Sequence, residues 1–337
     1  MQHTDNKRER EYLFALASVK GIGPVRINRL VARFGSAEQI FEAELHEIAQ
    51  LPYFNPILAT RIQTVRKKFA ELQQKFEELT EHGITVLIRD DNEYPAILKS
   101  VPDAPIILCR VGEVTEVNEN TVAIVGCRKP TSEAINVTLD LAIRLVQSGF
   151  TIVSGLANGV DTNAHYGALG VNGKTVGVVA ADFSSIFPPE NHELARNIYE
   201  KGCLFSEHPF LTPPTPANLV TRNRIISGLS MATVVIESSI DGGTMHTARY
   251  AELQDRPVFA CQWGSDNKNS DGTHQLIKTG AIPFSPNKLN TVVERLKDPE
   301  NLKKENMGSQ AQQITLFENQ ENYTHTNLQN GDIDATI

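Results

Sequence analysis

The strongest constraint on the fold is a regular alternation of short apolar runs and helix-like segments between residues 122 and 260. Short apolar runs without polar alternation are typical of strands that are covered on both faces. Such strands alternating with helices form an α/β fold with a doubly wound parallel sheet. The predicted strands are residues 122–125, 151–153, 175–179, 204–206, 233–236 and 258–260, and the predicted helices are residues 133–147, 162–169, 193–199, 224–229 and 246–253. Two earlier strand-like runs cover residues 84–88 and 106–110.

Three glycine-bearing turns follow predicted strands of this series. We call residues 126–131 turn one, residues 154–161 turn two and residues 241–244 turn three. In a parallel sheet all three lie at the carboxyl edge, where their backbone N–H groups can converge on one anion. The pattern therefore predicts a site that holds phosphates.

Turn one supplies Gly126, Arg128, Lys129 and Thr131 as candidate phosphate ligands. A guanidinium beside free helix N–H groups binds phosphate strongly, because its charge-assisted hydrogen bonds add to the backbone donors. Thr131 or Ser132 can cap the helix that follows. The alternative is a surface arginine at a tight turn.

Turns two and three supply the remaining candidates. Turn two contributes Ser154, Gly155 and Gly159, and turn three contributes Gly242, Gly243 and Thr244. Asp161 is most simply a helix cap, and His165 a residue that hydrogen-bonds inside the fold, although both types also serve in catalysis. The predicted helix start at residues 221–224 adds Arg222, Asn223 and Arg224. At least one of the two arginines is expected to face the ligand, while the other can pair with Glu237 or another buried acid.

The first 80 residues predict a small helical domain. Gly21 and Gly23 lie between two predicted helices, as in the hairpin of a helix-hairpin-helix element. Two glycines allow a tight turn whose exposed amides can bind a DNA phosphate, while packing alone is the alternative. A second copy at residues 48–56 lacks glycine and is predicted to be structural.

Composition limits the remaining possibilities. The net charge of −8 argues against general coating of duplex DNA, so any cationic surface must be local. The four scattered cysteines indicate reduced thiols in a cytoplasmic protein, and no metal or cofactor site is expected. No apolar run suits a membrane span, and the polar start predicts no signal peptide. Residues 1–80, 81–298 and 299–337 are expected to form the helical domain, the α/β domain and a disordered tail.

The tail holds one short motif. Gln313, Leu316 and Phe317 resemble the peptide by which bacterial proteins bind the replicative sliding clamp. An apolar end that enters a groove is a common form of peptide docking.

Taken together, the motifs resemble those of the DNA-processing protein A family (DprA, also called Smf). The resemblance runs from about residue 20 to residue 284 and depends on long motifs in the expected order at residues 122–131, 154–161, 187–191, 222–230 and 272–281. It implies an extended Rossmann-like fold, a homodimer, and binding of single-stranded DNA in a basic pocket. It further implies protection of incoming strands and loading of RecA in natural transformation or recombination, without catalysis.

The chain departs from the family pattern at several positions. Cys127 replaces the usual serine, Asn158 stands where a basic residue is common, and Gln262-Trp263-Gly264 replaces Pro-Gly. Many relatives end in a winged-helix domain, whereas a disordered tail is expected at this position here. The alternative function is a nucleotide-cleaving phosphoribohydrolase or a nucleotide sensor. The former places a catalytic glutamate after its glycine turn, and Met245 follows Thr244 instead.

Overall fold

The computed structural model describes residues 2–113, 117, 120–208, 212–265, 267–300 and 302. The predicted disordered tail starts at residue 299, but residues 299, 300 and 302 are described, and Leu302 is 3% exposed and packs in the apolar core, so these first residues do not belong to a disordered tail. The tail motif, Gln313, Leu316 and Phe317, lies outside the described residues. None of the helices in the described ranges combines the length and the hydropathy that a membrane span requires.

A single nine-stranded sheet dominates the described chain. Its strands are β1 (Thr85–Ile88), β2 (Ile107–Gly112), β3 (Thr121–Val125), β4 (Thr151–Ser154), β5 (Thr175–Val178), β6 (Cys203–Ser206), β7 (Ala232–Val235), β8 (Val258–Cys261) and β9 (Ile282–Phe284). The strand order is β1-β2-β6-β5-β4-β3-β7-β8-β9. The run from β6 to β9 is parallel, and β1 and β2 extend it in antiparallel orientation.

The described helices are α1 (Gln2–Ala17), α2 (Pro24–Phe34), α3 (Ala37–Glu42), α4 (Leu45–Ala49), α5 (Pro56–Lys67), α6 (Phe69–Glu81), α7 (Ala96–Lys99), α8 (Ser132–Gln147), α9 (Val160–Gly170), α10 (His192–Lys201), α11 (Pro216–Gly228), α12 (Thr244–Leu253), α13 (Asp271–Lys278) and α14 (Asn290–Leu296). The predicted extended, doubly wound and mostly parallel α/β fold with an N-terminal helical part is therefore confirmed.

Strand β3 lies at the centre of the parallel run from β6 to β9, and its burial on both faces explains its uniformly apolar sequence. Val122 and Ile124 belong to one hydrophobic cluster, and Ala123 and Val125 belong to another on the opposite face of the sheet. Its neighbours are β4 on one side and β7 on the other. The connections wind in opposite directions from this point, which places the usual ligand crevice of such sheets at the carboxyl ends of β3, β4 and β7.

Helix α11 differs from the sequence prediction in a way that matters for the site. It begins at Pro216 instead of near residue 224, and the Thr215 hydroxyl caps it by accepting from the Asn218 amide at 3.1 Å. Proline is favoured at the first helical position because its missing N–H has no partner there. Arg222 and Arg224 therefore lie in the body of a buried helix and not at its start.

The elements after residue 260 were not predicted from the sequence. Helix α13, strand β9 and helix α14 add a further parallel strand and two helices. Trp263, which follows β8, is 5% exposed and donates its indole N–H to the Ile236 carbonyl at 2.6 Å. It is a packing residue.

The helical part contains two similar hairpins, whose equivalent residues Gly21 and Tyr53 are 32 positions apart in the sequence. Gly21 and Tyr53 both have positive φ, 86° and 69°, and a proline opens the next helix in each copy. The hairpins brace each other, because Arg61 donates to the Lys20 carbonyl at 2.8 Å and Arg29 to the Pro52 carbonyl at 3.4 Å. One apolar core joins these helices to β1 and β2.

Candidate functional site

Turns one and two pack backbone against backbone. Gly159 has φ 86° and ψ −123°, and a Cβ there would lie 2.4 Å from the Cys127 carbonyl oxygen. The Val160 amide donates to that same oxygen at 3.2 Å. The close approach requires glycine, and it fixes turn two beside the backbone that carries Arg128.

Turn one also contacts the segment that leads from β7 into turn three. The Cys127 amide donates to the Glu237 carbonyl at 2.7 Å. A Cβ on Gly126 would lie 2.5 Å from Val160 Cγ2 and 3.0 Å from the Glu237 carbonyl oxygen. The carboxyl ends of β3, β4 and β7 therefore meet, as the turn pattern predicted.

The carboxylate of Glu237 occupies the start of α8. Its oxygens accept from the Thr131 amide at 2.9 Å, the Thr131 hydroxyl at 2.6 Å and the Asn267 side chain at 2.6 Å. Burial, and secondly the charge of Glu237, raise the pKa of the Cys127 thiol to about 12. A helix N-terminus attracts an anion, and here the protein supplies that anion itself.

Thr131 therefore has a different role from the predicted phosphate contact. Its hydroxyl donates to Glu237 and accepts from the Ala134 amide at 3.2 Å, which caps α8. Glu237 was expected only as a partner for an arginine. The available signal was an acid at the end of the apolar run 233–236.

The groups of turns one and two that face solvent are Arg128, Lys129 and Asn158, and we call these three residues the rim. Within the described ranges, no hydrogen bond or ion pair engages their side chains. Gly159 fixes the backbone beneath Arg128, so the two cations project from a braced turn. Unpaired cations on such a turn are available to an external anion.

Ser154 and Gly155 lie beneath this surface. The Ser154 hydroxyl is fully buried and donates to the Ile124 carbonyl at 2.6 Å. The Gly155 amide donates to Asp161 Oδ2 at 3.1 Å. Both groups already donate hydrogen bonds within the protein, so the prediction that Ser154 and Gly155 contact phosphate is wrong.

Arg222 holds turn two from below. It is 4% exposed, and its Nη1 donates to the carbonyls of Gly155 and Val178. Burial lowers the pKa of Arg222 to about 10, against the opposing effect of Asp161. Burial raises the pKa of Asp161 to about 6, and Arg222 opposes that shift. Arg222 is therefore a positioning residue and not the exposed phosphate ligand that the sequence suggested.

Arg224 contacts residues outside the three turns. It is 5% exposed, forms a salt bridge with Glu207 and donates to the Asp103 carbonyl at 2.8 Å. Neither partner belongs to the three turns. Neither arginine of α11 is thus exposed to a ligand, because Arg222 is buried beneath turn two and Arg224 is buried against Glu207 and Asp103.

Turn three is joined to this network through Asn223. Its side chain accepts from Arg222 Nε at 3.3 Å and donates to the Gly243 carbonyl at 3.3 Å. Gly242 is half-buried, Gly243 is exposed and Thr244 is buried at 8%. A Cβ on Gly243 would meet no atom within 4 Å, so this part of turn three is open to a ligand.

His165 is fully buried below turn two. The Thr175 hydroxyl donates to the Ile152 carbonyl at 2.9 Å, so at the 2.7 Å contact His165 Nδ1 must be the donor to Thr175. His165 Nε2 has no hydrogen-bond partner among the described residues. Burial, and secondly Arg222, lower the pKa of His165 from 6.5 to about 3. The residue is a neutral internal donor, in agreement with the non-catalytic interpretation.

This depressed pKa predicts a loss of stability in acid. The contribution is fully present above the unfolded value of 6.5 and declines as the pH falls toward about 3. Relative to His165→Gln, the wild type should lose up to about 1.4 kcal/mol of unfolding free energy per pH unit between about pH 6 and pH 4. Urea unfolding of both proteins across this range measures the difference. Asp161, with its raised pKa, changes in the opposite direction but is present in both proteins, so a constant difference would contradict the assignment.

The first hairpin keeps Gly21 and Gly23 at its tip. Arg26 donates to the Gly21 carbonyl at 2.8 Å and to the Tyr53 carbonyl at 3.0 Å, which ties the two hairpins together. The guanidinium of Arg29, from α2, lies 4.1 Å from the centre of the Tyr53 ring in the second hairpin. These contacts account for packing, and DNA contact by Gly21 and Gly23 stays a prediction.

The fold and the site define a class: an extended Rossmann-like α/β protein with a cationic turn at the sheet switch point and a helix-hairpin-helix part. The sequence pattern of DNA recombination-mediator protein A matches residues 85–297, and that of a SAM-like helix-hairpin-helix tandem matches residues 14–67. The chain belongs to the DNA recombination-mediator protein A family, as the motifs indicated.

Curated relatives and solved structures agree with this membership. Protein Smf of Synechocystis sp. is 35% identical over 286 residues, which cover 83% of this chain and 72% of that protein. The DNA processing protein DprA of Bacillus subtilis is 34% identical over 218 residues, 64% of this chain and 73% of that protein. The crystal structure of DprA from Streptococcus pneumoniae superposes with a TM-score of 0.71 at 27% identity, covering 83% of this chain and 97% of that one.

A further solved structure concerns the single-stranded DNA binding mode of DNA processing protein A from Helicobacter pylori. It superposes with a TM-score of 0.56 at 30% identity and covers 63% of this chain and 96% of that chain.

Proposed function

We propose that this protein binds single-stranded DNA through the rim, with Arg128 and Lys129 neutralising backbone phosphates. The observation that carries the proposal is the placement of these two exposed cations on a turn fixed by Gly159, at the switch point of the sheet. The open Gly243 of turn three offers a second approach to the strand. The single-stranded DNA binding mode of the Helicobacter pylori relative supports the same ligand.

The buried Glu237 favours a polymer over a free nucleotide. In a nucleotide-binding fold of this kind, the diphosphate of the ligand binds at the N-terminus of the helix that follows the first glycine turn. Here the Glu237 carboxylate accepts from the Thr131 amide and hydroxyl at the start of α8. A second anion at that position would meet a buried negative charge. Phosphates on the outer surface, as in a passing strand, avoid this repulsion.

The cellular role that follows is that of a binding protein and not an enzyme. Acting as a cytoplasmic homodimer, it protects incoming single strands and loads RecA onto them in natural transformation or recombination. The tail motif at Gln313, Leu316 and Phe317 would add a contact with the replicative sliding clamp. Family membership and the single-stranded DNA binding of the Helicobacter pylori relative support this role.

Arg128→Glu is the test of the proposal. Loss of one charge-assisted phosphate contact is expected to raise the Kd for an oligo-dT strand about 10- to 100-fold. It should also reduce the slope of log K against log salt by about 0.7, the value for one single-strand phosphate. Fluorescence anisotropy across a salt series measures both quantities.

Lys201→Glu is the matched control. It makes the same change of charge at an exposed residue, but α10 ends there just before β6 begins, at the amino edge of the sheet. Its affinity should stay close to that of the wild type. Equal Kd values for Arg128→Glu and Lys201→Glu would refute the rim assignment. A preference of the wild type for duplex over single strands would overturn the choice of ligand.

A further inference from the structure

The segment of residues 267–269, which follows β8, lies against turn one. The Asn269 side chain donates to the Lys129 carbonyl at 3.1 Å. Asn267 donates to Glu237 Oε1 at 2.6 Å, the same oxygen that accepts from the Thr131 hydroxyl. Residues 267 and 269 are thus tied to the turn that bears the rim cations.

Lys268 stands between these two anchored residues. Its side chain is exposed, and within the described ranges it makes no hydrogen bond or ion pair. Both of its anchored neighbours use their side chains to contact turn one or Glu237, so the backbone of Lys268 lies at the same edge as Arg128 and Lys129.

Glu237 makes this arrangement possible. It is fully buried, and its two oxygens accept from turn one on one side and from residues 267 and 269 on the other. A buried carboxylate is stable only with such a complete set of donors. The same charge therefore joins two exposed segments that would otherwise be independent loops.

We propose that Lys268 is a third phosphate-binding cation beside the rim, and that Glu237 is the positioning residue that holds its segment against turn one. This inference rests on the proposed binding of single-stranded DNA and extends it to a third segment of the chain. Three cations on two joined segments would contact successive phosphates of one strand.

Lys268→Glu should raise the Kd for oligo-dT about three- to tenfold and reduce the salt slope by about 0.7. Lys278→Glu is the matched control, because this exposed lysine ends α13 on the way to β9, at the opposite edge of the sheet. Arg128→Glu is measured in parallel. If Arg128→Glu weakens binding and Lys268→Glu does not, the present inference is wrong while the proposed function stands. If neither weakens binding, the proposed function fails.

The positioning role of Glu237 has its own readout. Glu237→Gln keeps the shape but cannot accept from all of these donors, so the 267–269 segment should separate from turn one. Adding Lys268→Glu to Glu237→Gln should then cost less than twofold in Kd, whereas additive effects would show that Glu237 does not position Lys268. Asn269→Ala removes the contacts with the Lys129 carbonyl and with Glu237 Oε2, while Glu237 keeps its donors from Thr131 and Asn267, and it should weaken binding about two- to threefold. Full affinity in Asn269→Ala would likewise overturn the positioning argument.

Discussion

Replacing Arg222 by methionine is expected to lower the free energy of unfolding by about 3–5 kcal/mol, because it leaves two buried carbonyls without their donor and removes the positive charge that favours the ionised form of the buried Asp161. The guanidinium is 4% exposed and donates to the carbonyls of Gly155 and Val178, which methionine cannot replace. Chemical unfolding of both proteins at neutral pH measures the loss. Turn two should also become less ordered in the variant, because Arg222 donates a hydrogen bond to the Gly155 carbonyl in this turn.

The expected loss depends on pH in a defined direction. The pKa of Asp161 is already raised to about 6 with Arg222 present, and removal of the cation raises it further. The variant can relieve the buried charge by binding a proton, so its deficit should be smaller near pH 5 than near pH 7. Asp161→Asn combined with Arg222→Met should regain part of the stability for the same reason.

Arg196→Met is the matched control, because it removes an arginine whose partners, Glu193 and Glu200, lie on an exposed helix surface. Exposed ion pairs of this kind contribute about 0–1 kcal/mol. If Arg222→Met and Arg196→Met cost the same, the buried network of turn two does not stabilise the protein as argued.

Arg222 also shows where sequence reasoning about the site reaches its limit. The motif identified a cation-rich segment near the phosphate turns, and the segment does lie there. The direction of each side chain depends on where α11 begins. The proline-rich sequence around Pro216 was predicted to be a loop, so the first two turns of α11 were not recognised as helix. Arg222 and Arg224, expected at an open helix start, therefore lie within the helix with both side chains buried.

The sheet itself was far more predictable. Strands such as β3 and β7 are buried on both faces, so their uniform apolar runs could be recognised without a partner. Strand β9 has Pro283 exposed between two buried residues, and its short run carried no such signal. The local hydrophobic pattern therefore predicts a strand well when both of its faces are covered, and poorly when the strand lies at the edge of a sheet.

Glu237 was recognisable only from the contacts of the folded chain. An acid after an apolar run is common, and nothing in the local sequence shows that donors from residues 131 and 267 will surround it. Those donors are 106 and 30 residues away along the chain. The polar interior of the site is therefore set by tertiary packing, whereas the exposed Arg128 and Lys129 could be selected from their position in a glycine turn.

Gly159→Ala is expected to lower the free energy of unfolding by about 3 kcal/mol or more and to weaken DNA binding at the same time. Its φ of 86° and ψ of −123° are strained for any other residue, at a cost of about 1–3 kcal/mol. The new Cβ would also lie 2.4 Å from the Cys127 carbonyl and 2.7 Å from the Arg128 carbonyl, so turn one must move. Thermal unfolding and oligo-dT titration measure the two effects.

Gly170→Ala provides the comparison within the same helix, α9. A Cβ there meets no atom within 4 Å, so the substitution should raise stability by about 0.5–1 kcal/mol, as alanine does in a helix, and leave the Kd unchanged. A Gly159→Ala protein that unfolds like Gly170→Ala would show that turns one and two do not pack as closely as described. Normal stability with weakened binding would instead show that Gly159 matters for DNA binding and does not contribute to the free energy of unfolding. Loss of both is the expected result, because the same backbone contact that stabilises the junction also sets the position of Arg128.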